Sequence, residues 1–255
     1  MKIWLKSKAV ISLAWVLAKY DLKIQNQRSL LGFVWRLVAP AISFGSLWYI
    51  FSKQLGQGIP QYPMYLLLGV ILFGFFQRTS SSVLGAVQGS IGVIKSYNVP
   101  HEAFVVAFIF SSLFSHLFEI LVLIGFLWFF QINFFNLIYY PIVLFCLTLL
   151  SLGVGLTISA LQPFFPPLIS LWRFFARILW LLTPIFYTIK DQPQLQTLSL
   201  FNPMYFIITA GRELIAYNRL PDAWILIGTI GYPLLVLIIG LLFFNMLKKY
   251  FTEIF

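Results

Sequence analysis

Glu119 and His116 are the pair of side chains in this sequence best suited to proton chemistry. They lie three residues apart inside an apolar run from Ala103 to Phe130, so a helix puts both on one face. A carboxylate beside an imidazole within a membrane span suits a proton relay. The same pair also suits structural glue, bonded to each other or to a neighbouring helix. Arg36 and Arg177 are the other ionisable residues set in apolar runs. The chain has two histidines, His101 and His116, and neither sits in a carboxylate-rich cluster. Cys146 is the single cysteine, and no H-E-x-x-H occurs, so the sequence gives no metal site. It also lacks G-x-x-x-x-G-K-[ST] and so cannot build its own phosphate cradle for ATP. No residue is assigned a catalytic role, and the chain is not expected to be an enzyme.

The elements that carry these residues are built for lipid. Of 255 residues 60% are hydrophobic and 9% charged, more apolar surface than a soluble domain of this length can hide. Seventeen basic residues against seven acidic ones give a net charge of +10. Six of the basic residues are Lys2, Lys6, Lys8, Lys19, Lys23 and Arg28, a bias that fits cytoplasmic anionic headgroups, with no nucleic-acid partner. Residues 3–25 place Lys8, Ser12, Lys19 and Lys23 on one helical face and apolar residues over the rest, the pattern of a helix lying in the membrane interface.

Six spans follow. The first runs from Gly32 to Phe51, with Arg36 near its start and Pro40 a turn later. The second runs from Pro63 to about Arg78, and a small, polar, Gly-rich stretch separates it from the third, Ala103–Phe130. The turn QINFFN leads to the fourth, Leu137–Leu161, which Pro163, Pro166 and Pro167 terminate. The fifth runs from Leu168 to Tyr187 and the sixth from Ala223 to Leu247. Between them residues 188–222 are amphipathic and broken by Pro193, Pro203 and Pro221, which suits a re-entrant external hairpin covered by protein or a water-filled path. The chain thus reads as a single all-α membrane domain over 1–255: an amphipathic interface helix (1–28), spans one to five (32–187), the hairpin (188–222) and span six (223–247).

The lysines and arginines orient it. The N-terminal segment carries six, the first turn carries Lys53 alone, and the 131–136 turn carries none. Both termini are therefore expected in the cytoplasm, and Lys248 and Lys249 agree. Lys190, Arg212 and Arg219 in the external segment pull the other way, although Asp191, Glu213 and Asp222 offset their charge. Two helical stripes also stand out: Phe44, Trp48 and Phe51 on the first span, and Arg173, Arg177, Trp180, Pro184 and Tyr187 on the fifth.

Arg28-Ser29-Leu30-Leu31-Gly32-Phe33-Val34-Trp35 followed by Pro40 resembles the entry to the first span in ABC-2 type permeases of polysaccharide exporters. Asn202-Pro203, then Arg212, Tyr217 and Pro221-Asp222, resembles the segment before their last span, and the tail with Glu253 is similar to their ending. The likeness covers essentially the whole chain, and the family includes exporters of O-antigen, capsule and teichoic acid. It implies an inner-membrane homodimer with two copies of a separate ABC ATPase subunit. ATP and Mg would be bound there, with no cofactor in this chain. It also implies a lipid-linked polysaccharide substrate moved outward between two permease copies.

The resemblance implies site residues as well. Gly89, Ser90, Ile91, Lys95, Ser96, Tyr97 and Asn98 would form a short coupling helix docked in an ATPase groove, the plain alternative being a connector. Phe44, Trp48, Phe51, Arg177, Trp180 and Tyr187 would face the pore, where flat rings hold a sugar chain without fixing it, or else serve ordinary packing. Arg28 and Arg36 would meet a lipid pyrophosphate headgroup or simply snorkel to lipid phosphates. Asn202, Pro203 and Arg212 would belong to an external gate. Competing expectations are an ABC-2 permease for a drug or lipid, a proton-coupled carrier using Glu119 and His116, and a membrane enzyme acting on lipid-linked sugars. The last lacks the cluster of carboxylates or histidines it would need.

Overall fold

The computed structural model describes the backbone of residues 2–27, 30–97, 101–189, 192–247 and 250, and the side chains of 10–23, 38–56, 58–84, 103–189, 192–247 and 250. Among these the fold is all-helical. The order is α1 (Lys2–Gln27), α2 (Leu30–Phe51), α3 (Tyr62–Tyr97), α4 (His101–Phe129), α5 (Tyr140–Leu161), α6 (Leu168–Leu182), α7 (Pro193–Leu200), α8 (Pro203–Gly211) and α9 (Ala223–Leu247). A π-helical turn, Arg212–Ala216, follows α8 directly.

Among the described residues four segments are long and apolar enough to cross a membrane: Tyr62–Leu84, Ala103–Phe129, Phe134–Leu161 and Ala223–Leu247. Val38–Phe51 adds a shorter apolar helix. α3 differs from the expected span and separate coupling helix, for it is continuous over 36 residues. At about 1.5 Å per residue it exceeds the roughly 30 Å hydrocarbon thickness by several turns. α6 is shorter than expected, ending at Leu182 because Thr183 is extended (φ −83°, ψ 128°) ahead of Pro184, the conformation that a following proline favours.

The core gathers on α3. Leu66, Leu67, Leu68, Ile71, Leu72, Phe73, Phe75 and Phe76 are buried along it, packed by Leu123 and Leu127 of α4 and by Val143, Leu147 and Leu150 of α5. α5 and α9 form the most extensive helix pair, and glycine makes it possible. A Cβ at Gly240 would lie 2.3 Å from the Gly153 carbonyl oxygen, and one at Gly153 would lie 2.6 Å from the Val236 backbone. Without hydrophobic drive between helices in lipid, such backbone approach supplies the packing. α1 lies against α4 through Ala14, Ala18 and Ala107, small residues whose contribution the sequence pattern did not reveal. Its outer surface exposes Ile11, Trp15, Val16 and Tyr20.

Three connections meet at one end of the bundle. Tyr217 donates its hydroxyl to the carbonyl of Pro60, in the turn before α3, at 3.1 Å. Asn136, buried in the 3-10 turn Phe134–Tyr139, donates to the Ile215 carbonyl at 3.2 Å. The α2–α3 turn, the α4–α5 turn and the segment after α8 therefore share one end.

Candidate functional site

At that end the chain leaves α6 as irregular backbone, and side chains from elsewhere take up its carbonyls. Arg212 is 3% exposed and donates to the carbonyls of Tyr65 (Nε, 2.9 Å), Pro184 (Nη1, 2.8 Å) and Ile185 (Nη2, 2.8 Å). Tyr62 donates to the Phe186 carbonyl at 2.9 Å, and the Tyr65 hydroxyl reaches the Tyr187 carbonyl at 2.7 Å. A segment that would otherwise strand buried acceptors is thus satisfied, as backbone away from water must be. Asn202 caps α8 by accepting from the Met204 N–H at 3.0 Å, and its amide donates to Thr183 Oγ1 at 2.9 Å. Pro203 fills the first turn, where its missing donor costs nothing. Asn202, Pro203 and Arg212 therefore act together, stapling α8 and the π turn to the end of α6.

Outside this staple, Arg219 makes a two-pronged ion pair with Glu213, one arm at 3.0 Å. That bond raises the Arg219 pKa. Burial pushes the Tyr217 phenol up to about 12, with Arg212 pulling the other way.

The aromatic stripes resolve unequally. Phe44 is 2% exposed, set edge-on to Phe126 at 4.7 Å and stacked beside Trp48, which is open. Phe51, Trp180 and Tyr187 come together around Phe186, at ring centroid distances of 4.8, 5.4 and 5.2 Å. Phe186, Tyr62 and Tyr65 carried no motif, and only the fold shows that they matter. Arg173 and Arg177, one turn apart on α6, are exposed beside Phe174 and Phe175.

Glu119 and His116 join three helices. The Glu119 carboxylate takes His116 Nδ1 at 2.7 Å and Arg78 of α3 at 2.5 Å. His116 Nε2 meets the Tyr140 hydroxyl of α5 at 2.7 Å. Sequence reading paired the first two but missed Arg78 and Tyr140. The four side chains form one hydrogen-bonded network across α3, α4 and α5, with Arg78 half open at its edge. Among the described residues no group of three or more His, Cys, Asp or Glu could hold a metal. Arg28 and the side chain of Arg36 lie outside the described residues. So do Asn98 and the side chains of Ser90, Ile91, Lys95, Ser96 and Tyr97, although α3 carries the backbone of residues 89–97 as helix.

Residues 12–216 match the family described as ABC-2 type transporter. The chain belongs to that family. Among relatives of this ABC-2 protein, it is 25% identical to the O-antigen export system permease protein RfbA of Klebsiella pneumoniae, over 94% of this chain and 93% of that one. It is 21% identical to the protein of the same name from Myxococcus xanthus, over 93% of each. It is 24% identical to the polysialic acid transport protein KpsM of Escherichia coli, over 83% of this chain and 84% of that one.

Proposed function

We propose that this chain is the permease subunit of an ATP-driven exporter that moves a lipid-linked, O-antigen-like polysaccharide outward from the cytoplasmic side of the inner membrane. Two copies enclose the pore, and two copies of a separate ABC ATPase subunit bind ATP and Mg. Six spans place both termini in the cytoplasm, with α2 and α6 completing the set and α1 lying in the interface. The meeting of three connections at one end of the bundle supports that topology.

The observation that carries the reading is α6. Arg173 and Arg177 stand exposed on a short apolar helix, and charge facing lipid is costly. A water-filled path between two copies removes that cost, and Trp48, Phe51, Trp180 and Tyr187 then line it, with Phe44 backing Trp48. Such rings offer a sliding sugar chain apolar faces without a fixed grip. α7 and α8 form the re-entrant external gate, held by the Arg212 staple. The segment Gly89–Asn98, whose residues 89–97 continue α3, docks on the ATPase, so closure around nucleotide pulls directly on the span that holds the core. Arg28 and Arg36 receive the lipid pyrophosphate.

Affinity purification of the chain from its own membrane tests the assembly. An ABC ATPase should accompany it in equal amount, and the pair should hydrolyse ATP. Recovery of the chain without any nucleotide-hydrolysing partner contradicts the reading.

A further inference from the structure

α6 carries cations that the described fold leaves unanswered. Arg78 is paired with Glu119, Arg212 holds three carbonyls, and Arg219 is paired with Glu213. Arg173 and Arg177 are exposed and have no hydrogen-bond or ion-pair partner among the described residues. α6 itself, LISLWRFFARILWLL, contains no carboxylate. The two arginines are four residues apart, so their side chains stand one above the other, with Cβ atoms about 5–6 Å apart. They lie about 8 and 14 Å along the helix from Leu168, inside an apolar segment. The surface around Arg177 has three parts. Phe174 and Leu181, three residues before it and four after, are exposed on one side. Trp180, three residues after it, lies on the other side and packs on Phe186 together with Phe51 and Tyr187. The guanidinium stripe therefore runs between an apolar stripe and an aromatic group.

We propose that Arg173 and Arg177 form a diphosphate-binding station partway along the export path, where the headgroup of a polyprenyl-linked glycan is held as it crosses. The site deepens the export reading above and rests on it. Each guanidinium is a rigid fork that takes a pair of phosphate oxygens. Two forks one turn apart suit two linked phosphates, whereas a single phosphate fills one fork and leaves the other charge open. A neutral sugar leaves both charges open at membrane depth, which is costly. The flanking surfaces fit the rest of such a molecule. Phe174 and Leu181 take the prenyl chain, and Trp180 with the rings around Phe186 takes the first sugars. Crossing itself calls for such a station. A diphosphate carried through roughly 30 Å of hydrocarbon without counter-charge meets a penalty of several kcal/mol per charge, and fixed cations on the route offset it. Bilayer phospholipids share the phosphate chemistry, but each brings one phosphate and keeps it at the interface.

Binding to the full chain assembled with its ATPase in phosphatidylcholine nanodiscs tests the site, with excess ADP filling the nucleotide sites. Labelled farnesyl diphosphate is the probe, and farnesyl monophosphate and phosphatidylglycerol are the competitors. The wild-type assembly should bind the diphosphate about tenfold or more tighter than the monophosphate, and phosphatidylglycerol mixed into the disc should not displace it. Arg173→Gln and Arg177→Gln should each weaken diphosphate binding about tenfold and erase that preference. Arg177→Lys keeps the charge but loses the fork, so it should lose most of the preference, and it stands in if a glutamine variant fails to assemble. Equal affinity for the two farnesyl probes, or unchanged diphosphate binding in the variants, overturns the site. Displacement by phosphatidylglycerol also overturns it and assigns the pair to bilayer headgroups. If any of these occurs while wild-type ATP-driven export continues, the site is wrong and the export reading stands. If the wild-type assembly exports nothing with ATP, the export reading fails, whatever the pair binds.

Discussion

The guanidinium of Arg212 lies over the ring of Tyr65, 3.3 Å from its centroid, while its Nε donates to the carbonyl of the same residue. One arginine thereby reads both faces of the α3 entry and, through its other two nitrogens, holds the backbone that leaves α6. Stacking and a planar fork are both beyond a lysine ammonium.

Arg212→Ala should therefore remove three hydrogen bonds to buried carbonyls, of which that of Pro184 keeps another donor, the Tyr65 hydroxyl at 3.1 Å, and cost about 3 kcal/mol or more. Arg212→Lys should recover only part of the loss. Thermal unfolding of the purified chain in detergent checks both. Gly69→Ala should act in the same direction, because its Cβ would lie 2.7 Å from an Arg212 nitrogen.

Helix crossing gives a sharper contrast. Gly240→Ala should destabilise the α5–α9 pair by about 1–3 kcal/mol, since a methyl there meets backbone rather than a movable side chain. Gly45→Ala, with nothing within 4 Å of its Cβ, should stay within about 0.5 kcal/mol of wild type. Melting temperatures of the two variants, compared side by side, decide it.

The proposed water-filled path along α6 predicts chemical access. Arg177→Cys should react with membrane-impermeant thiol reagents in intact assemblies. Phe145→Cys and Ile142→Cys, on the exposed apolar face of α5, should not. Equal reactivity at all three positions contradicts a path along α6.

The buried triad of Glu119, His116 and Tyr140 predicts stability without proton coupling. Tyr140→Phe should cost about 1–3 kcal/mol by leaving a His116 nitrogen unpaired. A protonophore should leave ATP-dependent export by the wild-type assembly unchanged, whereas a proton-coupled carrier would stop.

Much of this fold was legible in the sequence, and the exceptions share a cause. Apolar runs located α3, α4, α5 and α9 because lipid demands continuous hydrophobicity. Proline placed the breaks after α5 and before α8, whereas the capping of α8 by Asn202 came only with the structure. The end of α6 was misplaced by five residues, because Thr183–Tyr187 stays largely apolar while its backbone is irregular and satisfied from outside. The end of the second span was misread for the opposite reason: α3 continues as helix past Arg78 although its sequence turns small and polar. In the site, motif reading found Arg212 and Asn202 but missed Tyr62, Tyr65 and Phe186. Their roles depend on partners more than a hundred residues away in sequence for the two tyrosines, and a linear pattern carries no trace of that distance. Arg78 and Tyr140 were invisible as members of the Glu119 network because they sit on other helices, which only packing brings beside it.

The central claim is that this permease moves glycan only when an ABC ATPase drives it. Reconstituting the chain with its ATPase partner in vesicles loaded with ATP on the ATPase side, and following arrival of lipid-linked glycan on the far side, tests it most directly. Transport should appear with ATP, vanish with a hydrolysis-dead partner, and be absent when the permease is reconstituted alone. Uphill movement of glycan by the permease alone would contradict the account, as would hydrolysis by the complete assembly with no glycan crossing.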